Sequence, residues 1–174
     1  MKNNIILIGF MGSGKSSVGE ALAKSLNYQF LDSDKLIEEK AGSTISQIFE
    51  QYGEEYFRNM ETKTLQDMQS KLDNTVLSTG GGMPLREENA KLLRQLGLVV
   101  YLQASTDTVI KRLKNDKSRP LLKGDDLAGK VDKLLAARTP VYEKTAHKII
   151  VTDNKTINQI VADIIEELSA IKED

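Results

Sequence analysis

The chain has 174 residues, with 24 Lys and Arg against 25 Asp and Glu and a formal net charge of −1. That length fits one domain around a single core, and the near-neutral balance gives no global attraction to nucleic acid or an anionic membrane. With no cysteine and one histidine, His147, disulfide frameworks, thiolate metal sites and His-rich metal sites are excluded, while an oxygen-ligated hard cation such as Mg²⁺ is not.

Lys2 before an apolar run has the look of a secretory signal. The run is short, however, and stops at Gly9 without a small-residue cleavage pattern. No stretch approaches the length needed to span a bilayer. The expectation is a cytoplasmic monomer that binds neither nucleic acid nor membrane.

Residues 4–8 read as a strand, and Ile5-Ile6-Leu7-Ile8 lacks alternation, as burial on both faces requires. The strand runs into Gly9-x-x-x-x-Gly14-Lys15-Ser16, and helical spacing follows at Val18, Leu22 and Leu26. Strand, glycine loop and helix together form the context of a phosphate-binding P-loop. Successive backbone N–H groups wrap the phosphates, glycine permits the close approach, and the helix adds its positive N-terminus. The expected nucleotide contacts are Gly12, Ser13, Gly14, Lys15, Ser16 and Ser17. Lys15 would supply charge at the β- and γ-phosphates, and the Ser16 hydroxyl would ligate Mg²⁺. An ordinary glycine-rich turn is the bland alternative, but a chance match in a chain this long is roughly a one-in-a-hundred event.

A second strand over 29–32 ends in Asp32-Ser33-Asp34. Residues two apart on a strand face the same way, so both carboxylates could meet a ligand, one through Mg²⁺-bound water and one at a substrate hydroxyl. Alternatively Ser33 or Asp34 caps a helix beginning near Lys35. Helical patterns over 45–51 and 54–71 interrupt the strand–helix rhythm and suggest a substrate-binding insertion, about 33–71. Within it Arg58 has Glu54 and Glu61 at partner spacing, which by itself reads as a surface ion pair.

The third strand, 75–78, leads into Thr79-Gly80-Gly81-Gly82. Three consecutive glycines are costly in conformational entropy and favour a second close backbone approach to a ligand. No acid follows this strand, which shifts the expected metal-side carboxylate to Asp32. Then come a helix over 87–96, a strand over 98–102 and a helix over 106–113. The polar stretch 114–126, carrying Arg119, suggests a mobile lid. A helix over 127–143 holds Arg138, a strand over 148–152 follows His147, and a helix over 157–171 ends the pattern. Arginine suits carboxylates and phosphates because its planar fork bonds two oxygens, though either Arg119 or Arg138 could merely be solvated. His147 fits a strand edge and is assigned no chemistry.

Strands alternating with helices imply a three-layer α/β fold with right-handed crossovers, one domain over 1–174 with its ligands beyond the carboxyl ends of the strands. The pieces GFMGSGKSS, DSD, FRNMET, TGGG, RPLL and RTPVYE, in this order across nearly the whole chain, resemble the shikimate kinase family among the nucleoside-monophosphate-kinase-like P-loop proteins. The resemblance implies a P-loop fold with a five-stranded parallel sheet, ATP and Mg²⁺, and transfer of the γ-phosphoryl group to the 3-hydroxyl of shikimate in the pathway to chorismate and aromatic amino acids. It also implies Asp34 as hydroxyl ligand and base, and Asp32 beside Ser16 on the metal side. Arg58 and Arg138 become a clamp on the shikimate carboxylate, with Glu61 orienting Arg58. Gly80 and Gly81 become backbone donors to the substrate, Arg119 the lid residue at the phosphoryl group, and Arg112 a neighbour of adenine.

Pro84 and Ala90 depart from the family pattern, which more often has an aliphatic residue and an arginine there. The second adenine contact falls within 152–155 without an assignable residue. A kinase for another metabolite, such as gluconate, would keep the P-loop and lid but need not share Asp34, Arg58, Gly80-Gly81 and Arg138. A non-catalytic nucleotide-binding module would lack the acids or the lid arginine, and all are present.

Overall fold

A computed structural model describes residues 3–114 and 126–173. Residues 115–125, with Arg119 and most of the expected lid, lie outside the described residues. Five strands, β1 (Ile5–Ile8), β2 (Gln29–Asp32), β3 (Thr75–Ser78), β4 (Leu98–Gln103) and β5 (Lys148–Val151), form one sheet. All pairings are parallel, in the order β2-β3-β1-β4-β5. The predicted strands agree with these to within a residue at each end.

The helices are α1 (Lys15–Leu26), α2 (Ser33–Ala41), α3 (Ile45–Met68), α4 (Glu87–Leu96), α5 (Thr106–Leu113), α6 (Leu127–Thr145) and α7 (Ile157–Glu173). Strand β1 shows why the sheet needs cover on both sides. Ile5 and Leu7 pack with Val18 and Leu22 of α1 and Ile160 and Ile164 of α7. Ile6 and Ile8 face the other way, onto Leu65 of α3, Leu93 of α4 and Tyr142 of α6. All four β1 side chains are buried, which explains the unbroken apolar run. Leu7→Ala in this strand would cost about 2–5 kcal/mol. No described helix is long and apolar enough to cross a membrane.

The region after β2 differs from the sequence expectation. Helix α2 begins directly at Ser33, so Asp34 lies in its first turn and not on a strand face beside Asp32. The cap is Asp32, not Ser33 or Asp34: its Oδ1 accepts from the amides of Asp34 at 3.0 Å and Lys35 at 3.2 Å. An aspartate there satisfies two orphan helix donors at once.

Helix α3 opens on a capping box, in which Thr44 Oγ1 accepts from the Gln47 amide and Gln47 Oε1 from the Thr44 amide. It is broken at Gly53, whose φ of 82° is left-handed. The break separates the two helical stretches that the sequence pattern distinguished. Ile37 of α2 and Ile48 and Phe57 of α3 form a small core of their own. That core fixes the α3 face bearing Arg58. A 3₁₀ turn at Met83–Leu85, which the sequence pattern did not suggest, joins the glycine run to α4.

Candidate active site

Beyond the carboxyl ends of β1, β2 and β3 lies a cleft of about 650 Å³, lined by Met11, Gly12 and residues 14–17 of the Gly9–Ser17 loop and by Asp32, Asp34, Ser78, Gly80 and Gly81. The loop turns through Gly12 and Gly14, at φ 77° and 91°. Gly14 is also the N-cap of α1, so the first amides of that helix point toward the cleft. Lys15 lies back across the loop, its Nζ donating to the carbonyls of Gly9 at 2.8 Å and Phe10 at 2.9 Å. Ser13 is buried, and Ser16 and Ser17 are exposed at the start of α1. Arg112 closes one side, its Nη1 donating to the Gly12 carbonyl at 3.2 Å.

At the edge between β2 and α1 two hydroxyls and a carboxylate meet. Ser16 Oγ donates to Asp32 Oδ2 at 3.0 Å and lies 3.5 Å from Ser78 Oγ. Asp32 thus divides its carboxylate, one oxygen capping α2 and the other meeting Ser16. A hydroxyl and a carboxylate beside a phosphate-binding loop suit Mg²⁺, which takes few protein oxygens and keeps waters and phosphates as its other ligands. No group of three or more acidic or imidazole side chains able to hold a metal occurs among the described residues.

A second, smaller cavity adjoins the first. Its lining includes Phe57, Arg58, Glu61, Gly82 and Arg138, and it shares Asp34, Gly80 and Gly81 with the larger cleft. Arg58 Nη1 donates to Glu61 Oε2 at 2.9 Å and Nη2 to Glu54 Oε1 at 3.2 Å. The spacing therefore pairs as predicted, but the pair is not on the surface: the side chains of Arg58 and Glu61 are 12% and 0% exposed. A Cβ at Gly82 would collide with the Arg58 guanidinium. Only glycine lets the guanidinium lie against the loop.

The burial has an electrostatic signature. It pushes the Glu61 carboxyl up to about 7, against the pull of Arg58 and with a further push from Asp34. Burial also works against the charge of Arg58, but Glu61 and Glu54 outweigh it and raise its pKa. Arg138 is 5% exposed, with its guanidinium carbon 5.6 Å from the Phe10 ring centroid. Among the described residues, Glu61 Oε1 and Arg138 Nη1 have no hydrogen-bond partner. Buried charged groups left with spare hydrogen-bonding capacity in a cavity are what a polar ligand requires.

The glycine run is held by contacts that the sequence pattern did not suggest. The Gly80 amide donates to Ser33 Oγ at 3.0 Å. Gly80 lines both cavities, and its donor is directed at α2. Tyr142 Oη donates to the Gly81 carbonyl at 2.6 Å. Asn89, fully buried, donates to the Met83 carbonyl and accepts from Thr62 on α3. Only Tyr142 left a sequence signal, lying four residues after Arg138 on one helical face. His147 does structural work as expected: its Nδ1 accepts from the Val99 amide at 2.9 Å, and burial lowers its pKa.

A parallel β2-β3-β1-β4-β5 sheet with a lysine-bearing P-loop after its first strand defines a P-loop nucleotide-binding protein. The family described as shikimate kinase matches residues 11–169. The chain belongs to the shikimate kinase family, and it is an ATP-dependent kinase. It is 47% identical to a shikimate kinase of Sulfurihydrogenibium sp. over 95% of this chain and 97% of that one. It is 43% identical to that of Dictyoglomus turgidum over 97% and 98%. Among solved structures it is similar to the shikimate kinase from Acinetobacter baumannii in complex with shikimate. That match has a TM-score of 0.93 at 40% identity over 98% of this chain and 95% of the other. Shikimate kinase from Aquifex aeolicus gives a TM-score of 0.84 at 37% identity, covering 97% and 98%.

Proposed function

We propose that the chain transfers the γ-phosphoryl group of ATP to the 3-hydroxyl of shikimate, with the nucleotide phosphates in the larger cleft and shikimate in the smaller. The observation that carries this arrangement is the shared wall: Asp34, Gly80 and Gly81 line both cavities. An acceptor hydroxyl at that wall would face the terminal phosphate, which is the in-line placement that phosphoryl transfer needs.

In this reading the 3-hydroxyl oxygen attacks the γ-phosphorus, and its proton goes to the Asp34 carboxylate. The bond to the β–γ bridging oxygen breaks, leaving ADP and shikimate 3-phosphate. Lys15 and the loop amides stabilise charge on the phosphates. Ser16 and, through water, Asp32 would hold Mg²⁺, which when bound neutralises the β- and γ-phosphate oxygens. Arg58 and Arg138 grip the shikimate carboxylate, where a planar guanidinium bonds two oxygens at once. Glu61 orients Arg58. Arg112 lies against adenine, and Arg119 reaches the transferring group when the 114–126 segment closes and excludes water.

A coupled assay of ADP release tests the acceptor directly, with shikimate set against gluconate, quinate and nucleoside monophosphates. Turnover should be confined to shikimate among these. Faster turnover with any of the others would overturn the acceptor assignment and leave the P-loop reading intact.

A further inference from the structure

We propose that Tyr142 is a positioning residue for the acceptor side of the reaction, its hydroxyl fixing the Gly81 carbonyl and so the spacing between the glycine run and the P-loop. The inference rests on the acceptor pocket described above. Tyr142 is fully buried, and its Oη donates to the Gly81 carbonyl at 2.6 Å. Burial raises the phenol to about 12, so the group remains a donor at any working pH. Gly81 is confined on its other sides: a Cβ there would lie 3.4 Å from the Met11 amide, 3.5 Å from the Gly9 carbonyl and 3.6 Å from Arg138 Nη1. The residue therefore lies between the nucleotide loop and Arg138.

The helix supplies the second half of the argument. Arg138 and Tyr142 are four residues apart on α6 and project from one face. One hydroxyl thus ties the strand-end loop to the helix that carries Arg138. Tyr101, whose ring centroid is 5.1 Å from that of Tyr142, forms the other half of the aromatic pair, and of the two it is Tyr142 whose hydroxyl bonds the Gly81 carbonyl. The two tyrosines offer the same chemical deletion at two places, one on the loop and one off it.

The test compares Tyr142→Phe with Tyr101→Phe, using steady-state kinetics in both substrates and thermal unfolding. Loss of the hydroxyl takes its partner from the half-buried Gly81 carbonyl and frees the glycine run to shift, so the KM for shikimate should rise about 5- to 30-fold. The KM for ATP should stay at its wild-type value, and Tyr101→Phe should change neither. Site-specific 4-aminophenylalanine at position 142 keeps a donor on the ring and should recover most of the loss. The proposal is overturned by an unchanged shikimate KM in Tyr142→Phe. It is equally overturned by parallel rises in both KM values, by the same defect in Tyr101→Phe, or by no recovery with the amine. Should Tyr142→Phe not fold, the amine-bearing protein decides alone, and near-wild-type shikimate KM is then required of it. Failure of the acceptor assignment is read separately, in the wild-type enzyme, as absence of transfer to shikimate.

Discussion

The nucleotide loop and the acceptor pocket adjoin each other but are built on opposite principles. The loop is nine consecutive residues, Gly9–Ser17, and the groups proposed to bind nucleotide are its backbone amides and Lys15. The acceptor pocket draws Asp34 from α2, Arg58 and Glu61 from α3, the glycines from the β3 end and Arg138 from α6. Its binding groups are side-chain charges buried by packing. The difference teaches where each region is vulnerable. The loop depends on local conformation and one charge, and the pocket on long-range registration of four elements.

That contrast breaks most easily at its nucleotide half. Lys15→Ala should lower turnover by about 10³-fold or more, the scale on which enzymes stabilise a transferring phosphoryl group, with little change in unfolding temperature. A variant with near-normal kcat would remove the P-loop from the mechanism. At the shared wall, Asp34→Asn keeps hydrogen bonding but loses the base, and kcat should fall about 10²- to 10⁴-fold. Wild-type turnover in single-turnover experiments would show that no base is needed there.

The acceptor half answers to gentler changes. Arg58→Lys and Arg138→Lys keep charge but lose the planar fork. Each should raise the KM for shikimate by about 1.5–3 kcal/mol in free-energy terms, with the KM for ATP unchanged. The double variant should be worse than either but less than additive, because both act on one group. A shikimate analogue without the carboxylate should be a poor substrate for wild type and no poorer for the variants. If Arg58→Lys still discriminates strongly for the carboxylate, the clamp is wrong.

The smallest expected effect concerns stability. Glu61 is an acid whose folded pKa, about 7, lies above its ordinary value. The folded state therefore holds that proton more tightly than the unfolded chain does, and the associated stability falls as pH rises from the ordinary glutamate range through about 7. Glu61→Gln cannot titrate and should lack this part of the slope, a difference on the order of 1 kcal/mol. Denaturant unfolding of both proteins at about pH 5 and about pH 8 measures it. Equal slopes would mean that burial of Glu61 is not felt as proton affinity.

From the sequence alone, the five strands, their parallel sheet and the P-loop were determined, because each is written in contiguous residues. An unbroken run such as Ile5–Ile8 admits one reading once a glycine loop and helix follow it. The two segments of α3 were legible for the same reason, since Gly53 interrupts the helical period where the backbone bends. Tertiary structure decided what lay across elements. Asp32 and Asp34 were read as strand neighbours, yet α2 starts at Ser33, because the Asp32 carboxylate caps it and local hydrogen bonding overrides strand alternation. Arg58 with Glu54 and Glu61 reads as an exposed pair by spacing. Only packing of α3 against Gly82 removes it from water and turns a weak surface interaction into a buried charge facing a cavity. Ser33 and Tyr142, which hold the two ends of Gly80-Gly81, sit 47 and 61 residues from their partners. Spacing along the chain carries no record of such contacts, since they exist only once the sheet has brought strand ends and helices to one edge.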